Sequence, residues 1–225
     1  MRPCGSQRRP RRLFDRQGIM KKGKAAMEKQ QISEQISCFP AVQSPLSADV
    51  GVIQCADETW IFDVGSSEEA AAAINAIPGQ KNVVLSHFHP DHTGNVDRVA
   101  YSALYAGAFT CRRFGRGITV DEHRYFENGI HLFPLPSSHA KGCVGLEYGD
   151  YAFLGDAIYS TMKDGKAVYN AGLLRELIAV LKSLHANWFL LSHRKPFVNP
   201  KAEVVAWLGE VYALRDPHTP YIFCG

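Results

Sequence analysis

The sequence predicts an α/β protein, a four-layer αββα sandwich of two mixed β-sheets flanked by outer helices. Three observations carry this. Short alternating runs separated by turn residues supply enough strands for two sheets. Two runs, Val83-Val84-Leu85 and Trp188-Phe189-Leu190-Leu191, are fully apolar, as strands covered on both faces must be. Each half of the chain passes from strands to a helical pattern and then to one of these apolar runs, which ends in histidine. No linker composition separates the halves. Residues 31–225 therefore read as a single domain with a pseudo-repeat, preceded by a basic, disordered N-terminal arm, residues 1–30.

The arm holds ten Lys/Arg against Asp15 and Glu28. Such a segment cannot bury enough apolar surface to fold. The chain's formal charge of +3 belongs to this arm, because the remainder is net acidic. Met20 and Met27 each offer an alternative start.

The first strand falls in 32–39. Runs 50–55 and 59–63 form a hairpin about Ala56-Asp57-Glu58. Ser66 and Glu69 make a capping box for a helix over 67–77, which Pro78-Gly79 ends. Run 81–86 is the buried strand. Residues 94–100 suggest a short helix, and 103–106 another strand. Runs 118–125 and 129–135 read as an antiparallel hairpin about Glu127-Asn128-Gly129. Runs 144–148 and 151–154 repeat that pattern about Gly149-Asp150. Leu173, Leu174, Leu177, Ile178, Leu181 and Leu184 mark a helix over 173–184. Strand 188–191 and an amphipathic helix over 201–214 close the chain.

Composition excludes several classes. Apolar residues make up 46% of 225, enough for a sizeable core. The six cysteines are far apart and form no Cys-x-x-Cys, so neither a disulfide framework nor a cysteine zinc knuckle is expected. No secretory run is visible, and reduced thiols in the cytoplasm are the default. No stretch is long and apolar enough for a membrane span, so no membrane partner is expected.

Chemistry concentrates in Ser86-His87-Phe88-His89-Pro90-Asp91-His92, at the end of the first apolar strand. Open α/β folds place their chemistry at such strand ends. Neutral imidazole and carboxylate are the ligands of zinc and related divalent metals. His139, Asp156 and His193 each follow an apolar segment in the same way, so all can meet on one rim. His123, His131, His185 and His218 lie in strands, at a helix end or in the tail, and suit surface or hydrogen-bonded roles. No Gly-x-Ser-x-Gly supports a serine nucleophile at Ser137 or Ser138. Cys143, with no activating partner, reads as a small core residue.

The set His87-x-His89-x-Asp91-His92, His139, Asp156 and His193, in this order, resembles the metallo-β-lactamase-fold hydrolase superfamily, with a glyoxalase II-like core. The resemblance implies two divalent metal ions. His87, His89 and His139 would hold one; Asp91, His92 and His193 would hold the other, with Asp156 bridging. It implies a hydroxide shared by the metals as nucleophile, and Asp91 as the catalytic proton acceptor. Asp63, in Asp63-Val64-Gly65, matches a family aspartate that orients the histidines from behind. His89 is retained where di-iron relatives that reduce oxygen or nitric oxide carry glutamate. This favours zinc over manganese or iron.

The departures narrow the substrate. The 46 residues between His92 and His139 are too few for a nuclease cap, and the 32 after His193 too few for the helical domain of glyoxalase II. A compact enzyme with an open site is expected, acting on a small ester, thioester or lactone. Lys141 is a candidate for binding an anionic substrate group, and Tyr159 for donating to an oxyanion. Two alternatives are a mononuclear iron dioxygenase of sulfur compounds, keeping only His87, His89, His139 and Asp156, and a phosphodiesterase or nuclease aided by the basic arm. A small-molecule substrate is favoured over nucleic acid.

Overall fold

The structure is a computed structural model describing residues 27–224, so the arm expected over 1–30 lies outside the described residues except for 27–30. The chain enters through β1 (Gln30–Gln31), which pairs antiparallel with β2 (Ile36–Phe39). A small hairpin of β3 (Val42–Gln43) and β4 (Leu46–Ser47) follows. β5 (Val50–Gln54) and β6 (Glu58–Phe62) form the expected antiparallel hairpin. Helix α1 (Glu68–Asn75) then carries the chain to β7 (Gln80–Leu85), parallel to β6. After α2 (Pro90–Thr93), β8 (Ala103–Ala106) adds parallel to β7. Helix α3 (Ala108–Phe114) and β9 (Ile118–Thr119) complete a sheet ordered β1-β2-β5-β6-β7-β8-β9.

The second half repeats the plan. β10 (Arg124–Tyr125), β11 (His131–Leu135), β12 (Cys143–Tyr148) and β13 (Tyr151–Gly155) pair antiparallel in succession. β14 (Thr161–Lys163) and β15 (Lys166–Asn170) lead into α4 (Ala171–Ser183), which returns the chain to β16 (Trp188–Leu191), parallel to β13. β17 (Val198–Pro200) closes the second sheet, ordered β10-β11-β12-β13-β16-β17. After α5 (Lys201–Ala213), β18 (Tyr221–Cys224) joins β15 in a third, three-stranded sheet.

Side-chain alternation builds the four layers. Trp60 and Phe62 of β6, Val84 of β7, Phe153 of β13 and Leu190 of β16 all point into one core between the sheets. Their neighbours Ile61, Val83 and Leu85 face the opposite way, into a core shared with Ala70, Ala71 and Ile74 of α1. Ala152, Leu154, Phe189 and Leu191 do the same on the other side, against Leu174, Leu177 and Leu181 of α4 and Leu208 of α5. Burying each such aliphatic or aromatic side chain stabilises by about 1.5–3 kcal/mol relative to exposure. The runs Trp60–Phe62 of β6, Val83–Leu85 of β7 and Phe189–Leu191 of β16 are apolar without break because both of their faces are covered.

Several local expectations change. The cap of α1 is Ser67, whose Oγ accepts from Ala70 N at 3.1 Å. Ser66 lies one residue before the cap, and its hydroxyl instead donates to the Leu46 carbonyl. The short helix after the histidine cluster spans Pro90–Thr93 rather than 94–100, since Pro90 is already set for a first helical position. Run 118–125 is not one hairpin strand: Ile118 pairs with Tyr105 in the first sheet, whereas Arg124 pairs with Leu132 in the second. Val120, buried between the sheets, marks the crossing. Helix α3 and the third sheet were not expected. The Asp164-Gly165 turn between β14 and β15, with both residues at positive φ, is a hairpin signal that the sequence does carry. No helix among the described residues is long and apolar enough to cross a membrane.

Candidate metal centre

The C-terminal ends of β6, β7, β11, β13 and β16 converge, and each releases one part of the site. Asp63 follows β6, His87–His92 follow β7, His139 follows β11, Asp156 follows β13 and His193 follows β16. The two sheets are stitched together here. Val144 N, in the second sheet, donates at 2.8 Å to the carbonyl of Ser86, just past β7 of the first. Gly155, at φ +54, sits so close that a Cβ there would lie 2.7 Å from Ser86 Cβ. Glycine is what lets Asp156 enter the site from the second sheet.

Three imidazole nitrogens meet in the first group. His87 Nε2 is 2.8 Å from His89 Nδ1, which is 3.1 Å from His139 Nε2. Partners on the far side of two rings set the tautomers. Ser86 Oγ donates to Asp63 Oδ2 and so accepts from His87 Nδ1 at 2.9 Å. His139 Nδ1 donates to Ser160 O at 3.3 Å. Lone pairs on His87 Nε2 and His139 Nε2 therefore both face His89, whose one Nδ1 proton can satisfy only one of them. A cation at their meeting point satisfies all three.

The second group is Asp91, His92, Asp156 and His193, whose ligand atoms lie within 4.8 Å of one another. Helix α2 presents Asp91 and His92 in its first turn. His92 Nδ1 is held by Asp63 Oδ2 at 2.7 Å, which turns Nε2 inward. That nitrogen is 3.2 Å from Asp156 Oδ2 but lacks hydrogen-bond alignment, and it is a buried atom without a partner, as is Asp156 Oδ1. A buried polar atom left unpaired costs about 1–3 kcal/mol, so such a pair marks a place for a missing partner. His193 Nε2 lies 2.9 Å from Asp91 Oδ2. Asp156 Oδ2 stands between the groups, 3.4 Å from His139 Nε2 and 3.9 Å from His193 Nε2.

Electrostatics follow from this crowding. Burial, reinforced by His92 and the other imidazoles, holds His87 far below the usual histidine range and therefore neutral. Burial and then His139 lower His89. At His92 burial works the same way, but the Asp63 and Asp156 carboxylates outweigh it and push the imidazole up to about 10. The hydrogen bond to Asp91 raises His193. Asp91 stays below the ordinary carboxylate range, because His193 and His92 overcome its own desolvation. The acidic half of the centre thus attracts positive charge and the imidazole half offers neutral donors. The residues fit a divalent cation in each group.

All seven expected ligands meet here, and Asp63 lies behind the histidines, hydrogen-bonded to His92 and Ser86. The other two candidates fare differently. Tyr159 packs near His139, but its hydroxyl donates to Ser192 O at 2.6 Å, which leaves no proton for an oxyanion. Burial and the nearby Asp156 charge raise that phenol further, with Arg194 acting against them. Lys141 is exposed and makes no hydrogen bond or ion pair among the described residues. His131 instead bonds Glu147 at 2.9 Å and His123 at 2.8 Å, away from the centre.

Asp49 escaped the sequence reading. Its carboxylate, 6% exposed, accepts from His193 N at 3.0 Å and from Ala41 N at 2.9 Å. It braces His193, whose φ of +62 is unusual for a side-chain-bearing residue. Ala48 N also donates to Asp91 O, so the root of the β3–β4 hairpin grips two members of the second group. No motif flags an aspartate more than 140 positions from the residue it holds. Ser86 was quoted within the cluster, but its role in setting a tautomer emerges only from the contacts.

No protein-family model matches the chain, and no curated relative does. Solved structures match it well in three dimensions. It is similar to the DIM-1 metallo-β-lactamase at a TM-score of 0.63, with 13% identity over 84% of this chain and 98% of that one. It is similar to the mono-zinc form of the metallo-β-lactamase FIM-1 from Pseudomonas aeruginosa at a TM-score of 0.62, with 15% identity over 85% and 98%. It also matches the chemotaxis sensor ODP, in a peroxy di-iron state, at a TM-score of 0.61, with 13% identity over 80% and 93%. The layered architecture and these likenesses define a metallo-β-lactamase-fold protein.

Proposed function

We propose that this chain is a metal-dependent hydrolase that cleaves a small ester, thioester or lactone. His87, His89 and His139 would hold one divalent cation; Asp91, His92 and His193 would hold a second, with Asp156 between them. The nitrogen-rich donor set suits zinc. Bound there, such a pair supplies a water acidified to near neutrality and a Lewis acid for the acyl oxygen. The observation carrying this reading is the position of Asp156 Oδ2, within 3.2–3.9 Å of imidazoles from both groups and beside an orphaned His92 Nε2.

The protein's own residues divide the remaining work. Burial keeps His87 neutral, so its lone pair is always presented. Asp91, ionised at neutral pH and partly open to solvent, can accept a proton at Oδ2 and pass it to the departing oxygen or sulfur. Asp63 keeps His92 turned inward. Support also comes from the likeness to two β-lactamases. The intact set Asp91, His92 and His193 speaks against a mononuclear dioxygenase, which needs only the first group and Asp156.

The test is turnover by the zinc-loaded chain on a butyryl ester, a butyryl thioester and a γ-lactone, with and without dipicolinate. Hydrolysis of at least one, abolished by the chelator and restored by zinc, is expected. Turnover that survives chelation, or oxygen uptake with a persulfide in place of hydrolysis, contradicts the reading.

A further inference from the structure

We propose that the trough along the outer edge of the sandwich binds a single-chain amphipathic anion, so that the acyl group of the substrate is an extended aliphatic chain. This rests on the hydrolase reading and narrows its substrate class. The trough has a volume of about 750 Å³ and lies between β1–β2 and β16–β17. Ile32, Pro40, Trp188, Phe197 and Val198 form its apolar walls. It runs from Trp188, the first residue of β16, to His193, just beyond that strand's end. Its apolar walls suit the aliphatic part of a ligand.

His193 belongs both to this trough and to the second ligand group, so one end of the trough abuts the candidate metal centre. At that end stand Arg194 and Lys195, both exposed and without an ion pair among the described residues. Asp49 lines the same end but is buried and engaged by His193 N and Ala41 N, which leaves the two exposed cations in excess and favours an anion there. Trp188, also in the lining, is 39% exposed, a large aromatic that can give apolar contact to a ligand. Cations at the mouth and an apolar tail slot behind them match an amphiphile whose charge lies next to its scissile bond.

Hydrolysis of such an acyl ester or thioester is balanced by water alone. Water oxygen bonds the acyl carbon, the bond from carbon to the leaving oxygen or sulfur breaks, and one water proton goes to the leaving group. The other proton is released as the product ionises. That product is an alkanoate, so alkanoates are direct probes of the trough without any turnover.

The experiment titrates the full chain with sodium butyrate and sodium decanoate, reading Trp188 emission against a Trp188→Phe control. Affinity should rise about two- to fourfold per methylene, as burial of one CH₂ requires, or roughly sixty- to four-thousandfold over the six methylenes between the two probes. Val198→Trp, or Ile32→Trp from the opposite wall, should fill the trough and flatten this dependence when binding is read by calorimetry, with an unchanged far-UV circular dichroism spectrum showing that the fold is intact. Equal affinity for both lengths, or a length dependence that survives both fillings, overturns the proposal. Butyryl turnover with no response to chain length would remove the trough and leave the hydrolase. Decanoate binding at Trp188 with no hydrolysis would remove the hydrolase and leave the trough.

Discussion

Asp63 joins three groups through one carboxylate: Ser86 N, Ser86 Oγ and His92 Nδ1, at 2.7, 2.8 and 2.7 Å. Through Ser86 it also sets the tautomer of His87, so a single residue aims a donor in each ligand group. Asp63→Asn should therefore weaken metal affinity about 10–100-fold, the usual cost of losing an orienting partner. Competition with a chromogenic chelator measures it, and unchanged affinity would remove the orienting role. Asp49 acts on the second group alone. Asp49→Ala should lower metal content from two equivalents towards one, with the His87, His89 and His139 group still filled, as elemental analysis would read. The seven candidate ligands and Asp63, which the structure brings together, were legible in the sequence because each carries a chemically specific side chain close after a strand. Asp49 was not, because its work is to accept two backbone N–H groups, and any acidic loop residue looks the same in one dimension. Tyr159 failed the opposite way: a phenol near the site suggests a donor, but a carbonyl at 2.6 Å has already taken its proton.

Glu147 shows how elements are held in register far from the chemistry. It lies on β12, accepts from His131 of β11 through Oε2 and from Ala186 N, just before β16, through Oε1. Glu147→Ala leaves two buried donors unpaired and should cost about 2–5 kcal/mol in denaturant unfolding. The hydrogen bonds from His131 and Ala186 outweigh its desolvation and hold this carboxyl below the ordinary glutamate value of 4.5. Its contribution is therefore fully present above that value and fades as pH falls through the lowered one. Wild type should lose stability in that acid window by more than Glu147→Ala does; equal losses would contradict it. Strands with two covered faces were readable, since Val83–Leu85 of β7, Ala152–Leu154 of β13 and all of β16 are unbroken apolar runs. The start of α1 and the split of 118–125 were not. A choice between Ser66 and Ser67, or between partners in two sheets, depends on contacts with β4 and β8 that no local pattern encodes.

At the scale of the whole molecule, the pseudo-repeat places two parallel crossovers, β6–α1–β7 and β13–α4–β16, in different sheets. Their strand ends face one rim, and each sheet supplies ligands the other lacks. Asp156 and His193 come from the second sheet to complete the pair begun by Asp91 and His92 on the first. Bringing the sheets together thus creates the site, and a bound cation should in turn stabilise the sandwich by linkage. The most direct measurement is a zinc-edge anomalous difference map from crystals of the zinc-loaded chain. Two peaks are predicted, one amid His87, His89 and His139 and one amid Asp91, His92 and His193, with Asp156 reaching both. A single peak, or none at that rim, would contradict the two-metal centre.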